Sequence, residues 1–520
     1  TSSKGLIQNT SYITTAQRSA ASSEVSESAV LSEPRIKHLP QLKAPGKVDL
    51  SQKKFASRAV SGTESKGTDY SIGDVKYFYI DTDVDISKFE KRKTVLRAKN
   101  DVCRVWIADG CYTGGYSREK YVNSSVAEDI ASRFMAYYEH ERHIFGEEGE
   151  DLIQETGMNQ GKIGDLMPDS YVNIVIYDIG ADYGKTERCG ITGYFYSKDY
   201  WVPLKNSRSS AQYSNKGKFF YIDSAFCNYI SDSRPDAPDS VAFAGYGNTA
   251  SDTAVTTLYH EFQHMISFGR NDYDDEPAWY NEMLSMLAED MFSQSLNTGF
   301  NDSPVGARLP LFNESYFVSG IDEWQSDPLT IFSYSTAYAF GAWLCRNYGG
   351  PAFVKDLCEC TKKGNHLNGM DAVKAVIKER TGENVSSNQI YRRFIQSCIF
   401  RNSFANSNGL YTFYKDAGGS IEYDGKTSVM NKIDIFSNEL CDLENNTDDK
   451  QLGPRIFANG YLSDGLSYEK KTVYNSELRP HGFVIHFAGI AETDSVTLNF
   501  SERKTQAEDI MIYIQDKFKN

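Results

Sequence analysis

Two histidines four positions apart place the strongest constraint on how this 520-residue chain can fold. His260 and His264 flank Glu261 in the stretch "TTLYHEFQHMISFG" (256–269), which has the pattern HExxH. On a helix, positions i and i+4 lie one above the other, so both imidazoles can reach one point while the glutamate projects beside them. Imidazole nitrogens are common zinc ligands in this arrangement. The pattern therefore predicts a helix that presents a metal site on one face.

The same helix has an apolar stripe for packing against a core. Five apolar side chains recur at helical spacing: Val255, Leu258, Phe262, Met265 and Ile266. His260 and His264 fall on the opposite side of the helix, whereas core histidines would lie within the stripe. The two histidines are therefore predicted to face a cleft.

Glu282 is the candidate for a third ligand. It follows His264 by 18 residues, in "PAWYNEMLSMLAED" (277–290), where Pro277 suits the first turn of a second helix. On that helix Glu282, Ser285 and Glu289 share one face, and the short connection after Gly269 allows the two helices to cross. A catalytic zinc has three protein ligands and one position open to water. Without the HExxH pattern, a solvated surface charge would be the simpler interpretation of Glu282.

These motifs resemble those of the gluzincin clan of zinc metallopeptidases, which contains thermolysin and the aminopeptidases. HExxH followed by a glutamate in a W-x-N-E box is the clan's pattern. Four stretches are similar to hyicolysin-type bacterial metallopeptidases: "VCRVWIADG", "YHEFQHMI", "WYNEMLSMLAED" and "YSTAYAFGAWLCRNYGG". The resemblance covers about residues 75 to 400. It implies an α+β fold with a thermolysin-like core, one catalytic zinc ion and endopeptidase activity on protein or peptide substrates.

The resemblance also implies roles for individual residues. His260, His264 and Glu282 would bind zinc, and Glu261 would act as general base and then acid. Thermolysin-like enzymes have an aspartate one turn after the ligand glutamate, which orients a zinc-binding histidine, but this chain has Met286 there. Glu289 is the predicted replacement, with Ser285 on the same helix face as a further supporting residue.

A tyrosine is expected to complete the site by donating a hydrogen bond to the oxyanion of the reaction. The stretch "FSYSTAYAFGAWL" (332–344) offers two candidates. Ser335 is a plausible helix N-cap, which would place Tyr334 at the helix entrance, pointing into the cleft. Tyr338, inside the helix, is the alternative donor, or is simply packed.

The pattern along the chain predicts three regions. Residues 1–70 are rich in polar residues and nearly free of aromatics, which is typical of a flexible tether. Residues 71–415 form the predicted catalytic domain, β-rich over 71–250 and helical over 251–415. Residues 416–520 return to short strands and predict a small C-terminal β-sandwich. Strands are expected at 76–85, 102–110, 172–180, 193–201 and 218–226, with a helix over 125–146 that ends at Gly146.

Charge and hydropathy limit the classes of partner. A formal net charge of −15 argues against nucleic acid. No apolar run approaches the roughly 18 residues needed to span a bilayer, and no apolar signal segment follows Thr1. Because a mature exported protein has lost its signal, we expect an exported bacterial protein, secreted or tethered at the surface, with a lipid anchor possible at the removed N-terminus. The oligomeric state stays open.

The other candidate sites have simpler structural explanations. The acidic stretches "DTDVD" (81–85) and "NDYDDE" (271–276) could bind Ca²⁺ but lack EF-hand spacing, so solvated loops are favoured. His140 and His143 lie beside acidic residues and are expected at salt-bridged surface positions. The nine cysteines include no CxxC pair and are expected to be buried apolar residues or a few disulfides. The alternative function is a catalytically inactive, zinc-stabilised surface adhesin or binding protein on the same fold.

Overall fold

The computed structural model describes residues 70–488, with gaps at 82–87, 113–121, 155–157, 164–169, 180–190, 228–248, 272–275, 301, 327–328, 363, 401–410, 414–418, 438–439, 441–452, 456 and 460–478. The described chain has a mixed α+β fold, as the sequence predicted. Its helices are α1 (Ser124–Phe145), α2 (Asp252–Arg270), α3 (Ala278–Leu296), α4 (Pro304–Ser315), α5 (Thr330–Tyr348), α6 (Pro351–Glu359), α7 (Gly369–Thr381) and α8 (Ser387–Ile399).

The described strands lie before α2, between α6 and α7, and after α8. The earlier ones are β1 (Val75–Asp81), β2 (Phe89–Lys99), β3 (Cys103–Ala108), β4 (Asp151–Gln154), β5 (Asn159–Lys162), β6 (Val172–Tyr177), β7 (Gly193–Phe195), β8 (Trp201–Val202) and β9 (Lys218–Asp223). The later ones are β10 (Thr361–Lys362), β11 (Asn365–His366), β12 (Ser420–Tyr423), β13 (Lys426–Val429), β14 (Phe457–Asn459) and β15 (His486–Ala488).

A six-stranded mixed sheet forms the β-rich half, in the order β1-β2-β3-β6-β9-β7. Its centre, β3-β6-β9, is parallel, and the outer strands on each side pair antiparallel. The described parts of the five predicted strands are confirmed, although the stretch 193–201 forms β7, a 3-10 helix at Ser197–Tyr200 and only the first residue of β8. The 11-residue β2 was not predicted, because its alternating charges read as a polar stretch.

Helix α1 covers one face of the sheet and is the helix predicted over 125–146. The side chain of Asn123 accepts a hydrogen bond from the Val126 N–H at 2.9 Å and so caps its first turn. Gly146 follows its last residue with φ 108°, which favours glycine, so the predicted end is confirmed. The buried face of α1 packs against β2, β3 and α2.

Helix α2, which contains the HExxH pattern, lies between the sheet and α3 and is buried from Thr253 to Phe268. Its start at Ser251 is capped by the Ser251 hydroxyl, which accepts from the Ala254 N–H at 3.0 Å. Gly193 permits its close approach to β7, since a Cβ there would lie 2.6 Å from Cγ2 of Thr257. The helix that carries the predicted metal ligands is therefore fixed directly onto the edge of the sheet.

Helix α3 packs on the other side of α2, α5 packs against α3, and α4 packs mainly against α5. Gly341 of α5 faces α3, and a Cβ there would lie 2.4 Å from Cγ of Met283. This absence of a side chain lets α5 approach α3 closely. The approach brings α5 side chains to the face of α3 that carries the predicted third ligand.

The described part of residues 416–520 packs onto the helices. The β12–β13 hairpin contacts α1, α3 and α6, and Asn313 of α4 donates to the carbonyls of Ile435 and Leu440 at 2.8 and 3.0 Å. Residues 489–520 of the predicted sandwich lie outside the described residues, as does the predicted tether apart from Tyr70. The sandwich and the tether stay predictions.

Two smaller expectations are resolved by the structure. His140 is not at the surface but 2% exposed, and its Nε2 lies 2.8 Å from the Ser428 hydroxyl, because the hairpin covers this part of α1. His143 stacks on the Tyr423 ring at 4.1 Å instead of forming the expected ion pair.

The seven described cysteines are free thiols, six of them buried. Among the described residues, no helix combines the length and apolar character needed to cross a membrane.

Candidate metal centre

His260, His264 and Glu282 converge at the crossing of α2 and α3. Each is at most 1% exposed. The Glu282 carboxylate oxygen Oε2 lies 3.2 Å from Nε2 of His260 and 3.5 Å from Nε2 of His264. The structure thus brings together the three residues that the sequence predicted as ligands, and they could hold a metal ion.

The spacing of these atoms fits a tetrahedral metal ion. Zinc–ligand bonds of about 2.0–2.2 Å place neighbouring ligand atoms of a tetrahedron about 3.4 Å apart. The two measured separations, 3.2 and 3.5 Å, lie on either side of that value. Two imidazoles and one carboxylate are also a donor set that zinc accepts, and they leave a fourth position for another ligand. Among the described residues this is the one group of three or more His, Cys, Asp or Glu side chains with converging ligand atoms. The acidic stretches 81–85 and 271–276 lie mostly outside the described residues, so the expectation of solvated loops there stays a prediction.

Glu289 orients His260 from the side away from this point. Its Oε1 lies 2.6 Å from Nδ1 of His260. Burial acts to lower the pKa of His260, but the hydrogen bonds to Glu282 and Glu289 outweigh it and raise the pKa to about 10. Burial acts to raise the pKa of Glu282, but the charge of His264 and the hydrogen bonds from both histidines lower it to about 2. Both pKa shifts favour the charged forms, the imidazolium of His260 and the carboxylate of Glu282.

Ser285 orients His264 in the way that Glu289 orients His260. The Ser285 hydroxyl lies 3.0 Å from Nδ1 of His264 and donates to the side-chain carbonyl of Gln263. The amide of Gln263 in turn donates to the Ser267 hydroxyl at 2.7 Å. Both histidines therefore turn Nε2 toward the common point and Nδ1 toward a partner on α3, an arrangement that fixes ring orientation around a metal.

Glu261 lies beside the three converging residues without belonging to them. It is fully buried, interacts electrostatically with all three, and accepts a hydrogen bond from the Phe195 backbone N–H on β7. Burial raises its pKa to about 7, with the neighbouring histidine charges opposing the rise. A carboxyl group that titrates near neutrality can both accept and release a proton.

Tyr334 lies at the centre, and Tyr338 does not. The Tyr334 hydroxyl donates to Oε1 of Glu282 at 3.2 Å, whereas the Tyr338 hydroxyl donates to Asp290 at 3.0 Å. The predicted helix start was wrong: α5 begins at Thr330, and the Ser335 hydroxyl donates to the Phe332 carbonyl instead of capping. Tyr334 therefore projects from inside the helix, on its second turn. Burial and the Glu282 charge raise the pKa of Tyr334 well above its ordinary value, so it remains a hydrogen-bond donor.

Arg308 is a residue at the centre that the sequence reasoning missed. It projects from α4, is 4% exposed, and its guanidinium lies 5.2 Å from the centroid of the Tyr334 ring. The signal was a single charge among small and apolar residues in "PVGARLPLF" (304–312). Such a charge is buried only where the fold gives it a partner.

No protein-family model matches the sequence, and no curated protein matches it either. The resemblance to gluzincins therefore rests on the short motifs.

Proposed function

We propose that this protein is a zinc-dependent endopeptidase that hydrolyses protein or peptide substrates on a thermolysin-like catalytic core. The observation that carries the proposal is the position of Glu261, a buried carboxylate beside three converging ligands without being one of them. A metal site that only stabilises a fold has no use for such a group, whereas hydrolysis needs a base.

Zinc held by His260, His264 and Glu282 would supply a Lewis acid that polarises a carbonyl and makes water a better nucleophile near neutral pH. Glu261 would take the proton of the attacking water and return it to the leaving amine. Its pKa of about 7 suits both steps, because the base must be partly ionised and its conjugate acid must be able to donate.

Hydrogen-bond donors are needed to stabilise the negative charge that develops on the substrate oxygen. The Tyr334 hydroxyl stays protonated, and rotation away from Glu282 would direct it toward a substrate carbonyl. Arg308 lies over the Tyr334 ring and adds positive charge on the same side of the centre.

The edge strand β7 supports a peptide as the substrate. Among the described strands it pairs with β9 alone, and its Phe195 N–H contacts the proposed base. An extended peptide can add to such an edge through backbone hydrogen bonds. A peptide bound there would pass beside Glu261.

Glu261→Gln tests the proposal. The variant should keep about one bound zinc per chain and the wild-type melting temperature, yet lose several orders of magnitude in peptide cleavage, because only water activation is removed. Glu139→Gln, an exposed glutamate on α1, is the matched control and should cleave like wild type. Cleavage by Glu261→Gln within about tenfold of wild type would overturn the role of base.

The competing proposal is a catalytically inactive, zinc-stabilised surface adhesin or binding protein. One observation favours it: all three ligands are at most 1% exposed, and structural zinc sites are closed whereas catalytic sites keep an open position. A diverse peptide library separates the two. If wild-type protein with one zinc bound cleaves no member, the adhesin is the better account.

The resemblance to hyicolysin-type enzymes also supports export, with the protein either secreted or tethered to a bacterial surface. The short-strand pattern of residues 416–520 supports a β-sandwich there. The net charge of −15 supports polypeptide substrates over nucleic acid.

A further inference from the structure

We propose that Asp290, Tyr338 and Asn431 are positioning residues: they fix α5 against α3 and thereby hold the Tyr334 hydroxyl at the ligand Glu282. This inference rests on the proposed function for its kinetic consequences, but its structural consequence can be measured separately.

Two tyrosine–carboxylate hydrogen bonds connect α5 to α3. Tyr334 and Tyr338, one helical turn apart on α5, donate to Glu282 at 3.2 Å and to Asp290 at 3.0 Å. Both tyrosines are fully buried, so neither hydroxyl can exchange its partner for bulk water. Because both lie on one rigid helix, a shift that loosens the Tyr338 bond also moves Tyr334.

Asp290 is the fixed point of this connection. Its Oδ2 accepts from the Tyr338 hydroxyl and from Nη2 of Arg346 at 2.7 Å. Its Oδ1 accepts from the Asn431 backbone N–H at 3.0 Å and from Nδ2 of Asn431 at 2.9 Å. These four hydrogen bonds hold the fully buried Asp290 carboxylate in one orientation.

Asn431 adds hydrogen bonds to this network from outside the helical part of the chain. Its side chain also donates to the Ser293 hydroxyl at 2.7 Å, and its carbonyl accepts from Arg346 at 2.7 Å. The segment after the β12–β13 hairpin thus contributes a residue to the frame of the metal centre. It does so although it lies within the predicted C-terminal domain, 416–520.

The position of Tyr334 matters because a catalytic hydrogen bond tolerates little displacement. A misplacement of about 1 Å caused by a remote change can reduce a rate about 100-fold. Tyr338→Phe removes only one hydroxyl, so α5 keeps its apolar packing while Asp290 loses one of its four donors. The expected loss is smaller than that limit, about tenfold in kcat, with KM within about twofold.

A double-mutant cycle tests whether Tyr338 acts through Tyr334. Tyr338→Phe should lower kcat about tenfold in wild type and by less than about twofold when Tyr334 is already phenylalanine. Losses that multiply in the double variant would overturn the proposal. Tyr391→Phe is the matched control, since its hydroxyl donates to Asp322 at 2.7 Å outside this network, and it should show no such coupling.

The second readout is spectroscopic and does not depend on activity. Cobalt(II) alone, added to metal-free protein, should give d–d absorption bands that shift alike in Tyr334→Phe and Tyr338→Phe, because Glu282 loses the same hydrogen bond in both. Tyr391→Phe should match wild type. A Tyr338→Phe spectrum identical to wild type would overturn the positioning role even if the protein proves not to be a peptidase.

Asn431→Ala keeps the proposal testable if Tyr338→Phe does not fold. This variant leaves the Asn431 backbone N–H on Asp290 and removes only the side-chain donors. It should shift the cobalt(II) bands in the same direction and show the same lack of additivity with Tyr334→Phe. Full additivity, or an unshifted spectrum in a folded Asn431→Ala protein, would refute the role of Asn431.

Discussion

The charge state of His260 gives the sharpest prediction for the metal-free protein. Hydrogen bonds to Glu282 and Glu289 raise its pKa to about 10 despite burial. At pH 8 the imidazole is therefore protonated about 100 to 1, a difference of two pH units or about 3 kcal/mol. Zinc binds the neutral ring, so zinc must displace this proton, and its binding is weakened about 50-fold at pH 8 relative to pH 10, where half of the rings are neutral.

Histidine nitrogen NMR measures this state directly. The His260 ring in metal-free protein should show two protonated nitrogens at pH 8, and one equivalent of zinc should convert it to the neutral, metal-bound form. The sign for stability follows from the raised pKa: the His260 contribution is fully present below pH 6.5 and is lost as pH rises through about 10. A ring that is neutral at pH 8 without metal would refute the reasoning.

Three further variants test the supports of the centre. Glu289→Gln should weaken zinc binding about 10- to 100-fold in a chelator competition, while Glu139→Gln should not, and equal affinities would argue against orientation by Glu289. Gly341→Ala should lower the free energy of unfolding by about 1–3 kcal/mol through overpacking against α3, and an unchanged denaturant midpoint would contradict that packing. Arg346→Met should destabilise by about 3–5 kcal/mol because it leaves Asp290 buried without its cation, and a loss below 1 kcal/mol would mean that the pair is not isolated from water.

The convergence of the two histidines with Glu282 could be predicted from the sequence because its geometry is local. Spacing within α2 places His260 and His264 together, and spacing within α3 places Glu282, Ser285 and Glu289 on one face. Once the two helices cross, those faces must meet. The periodicity of the two helices therefore predicted most of the residues that converge here.

The residues that the sequence did not reveal come from distant parts of the chain. Arg308 reaches the centre from α4, and Asn431 reaches Asp290 from 141 residues away. No periodicity links such positions, because tertiary packing alone brings them together. The start of α5 was misjudged because Ser335 has the chemistry of a cap, but inside a helix its hydroxyl bonds the preceding turn instead.

The burial of His140 could not be predicted for the same reason, because a distant part of the chain causes it. Its acidic neighbours on α1 favoured a surface position, and the hairpin that covers it follows almost 300 residues later. The β2 strand was missed for a related reason. Its outward positions carry charges, and its inward residues, such as Leu96 and Ala98, are too few to signal a strand alone.

The central claim is that a zinc ion held by His260, His264 and Glu282 makes this protein a peptidase. The most direct measurement is cleavage of a fluorogenic peptide library by metal-free protein as zinc is added back in known amounts. The account predicts no cleavage without metal and a rise that saturates at about one zinc per chain. Cleavage that a chelator does not abolish, or none with one zinc bound, would contradict it.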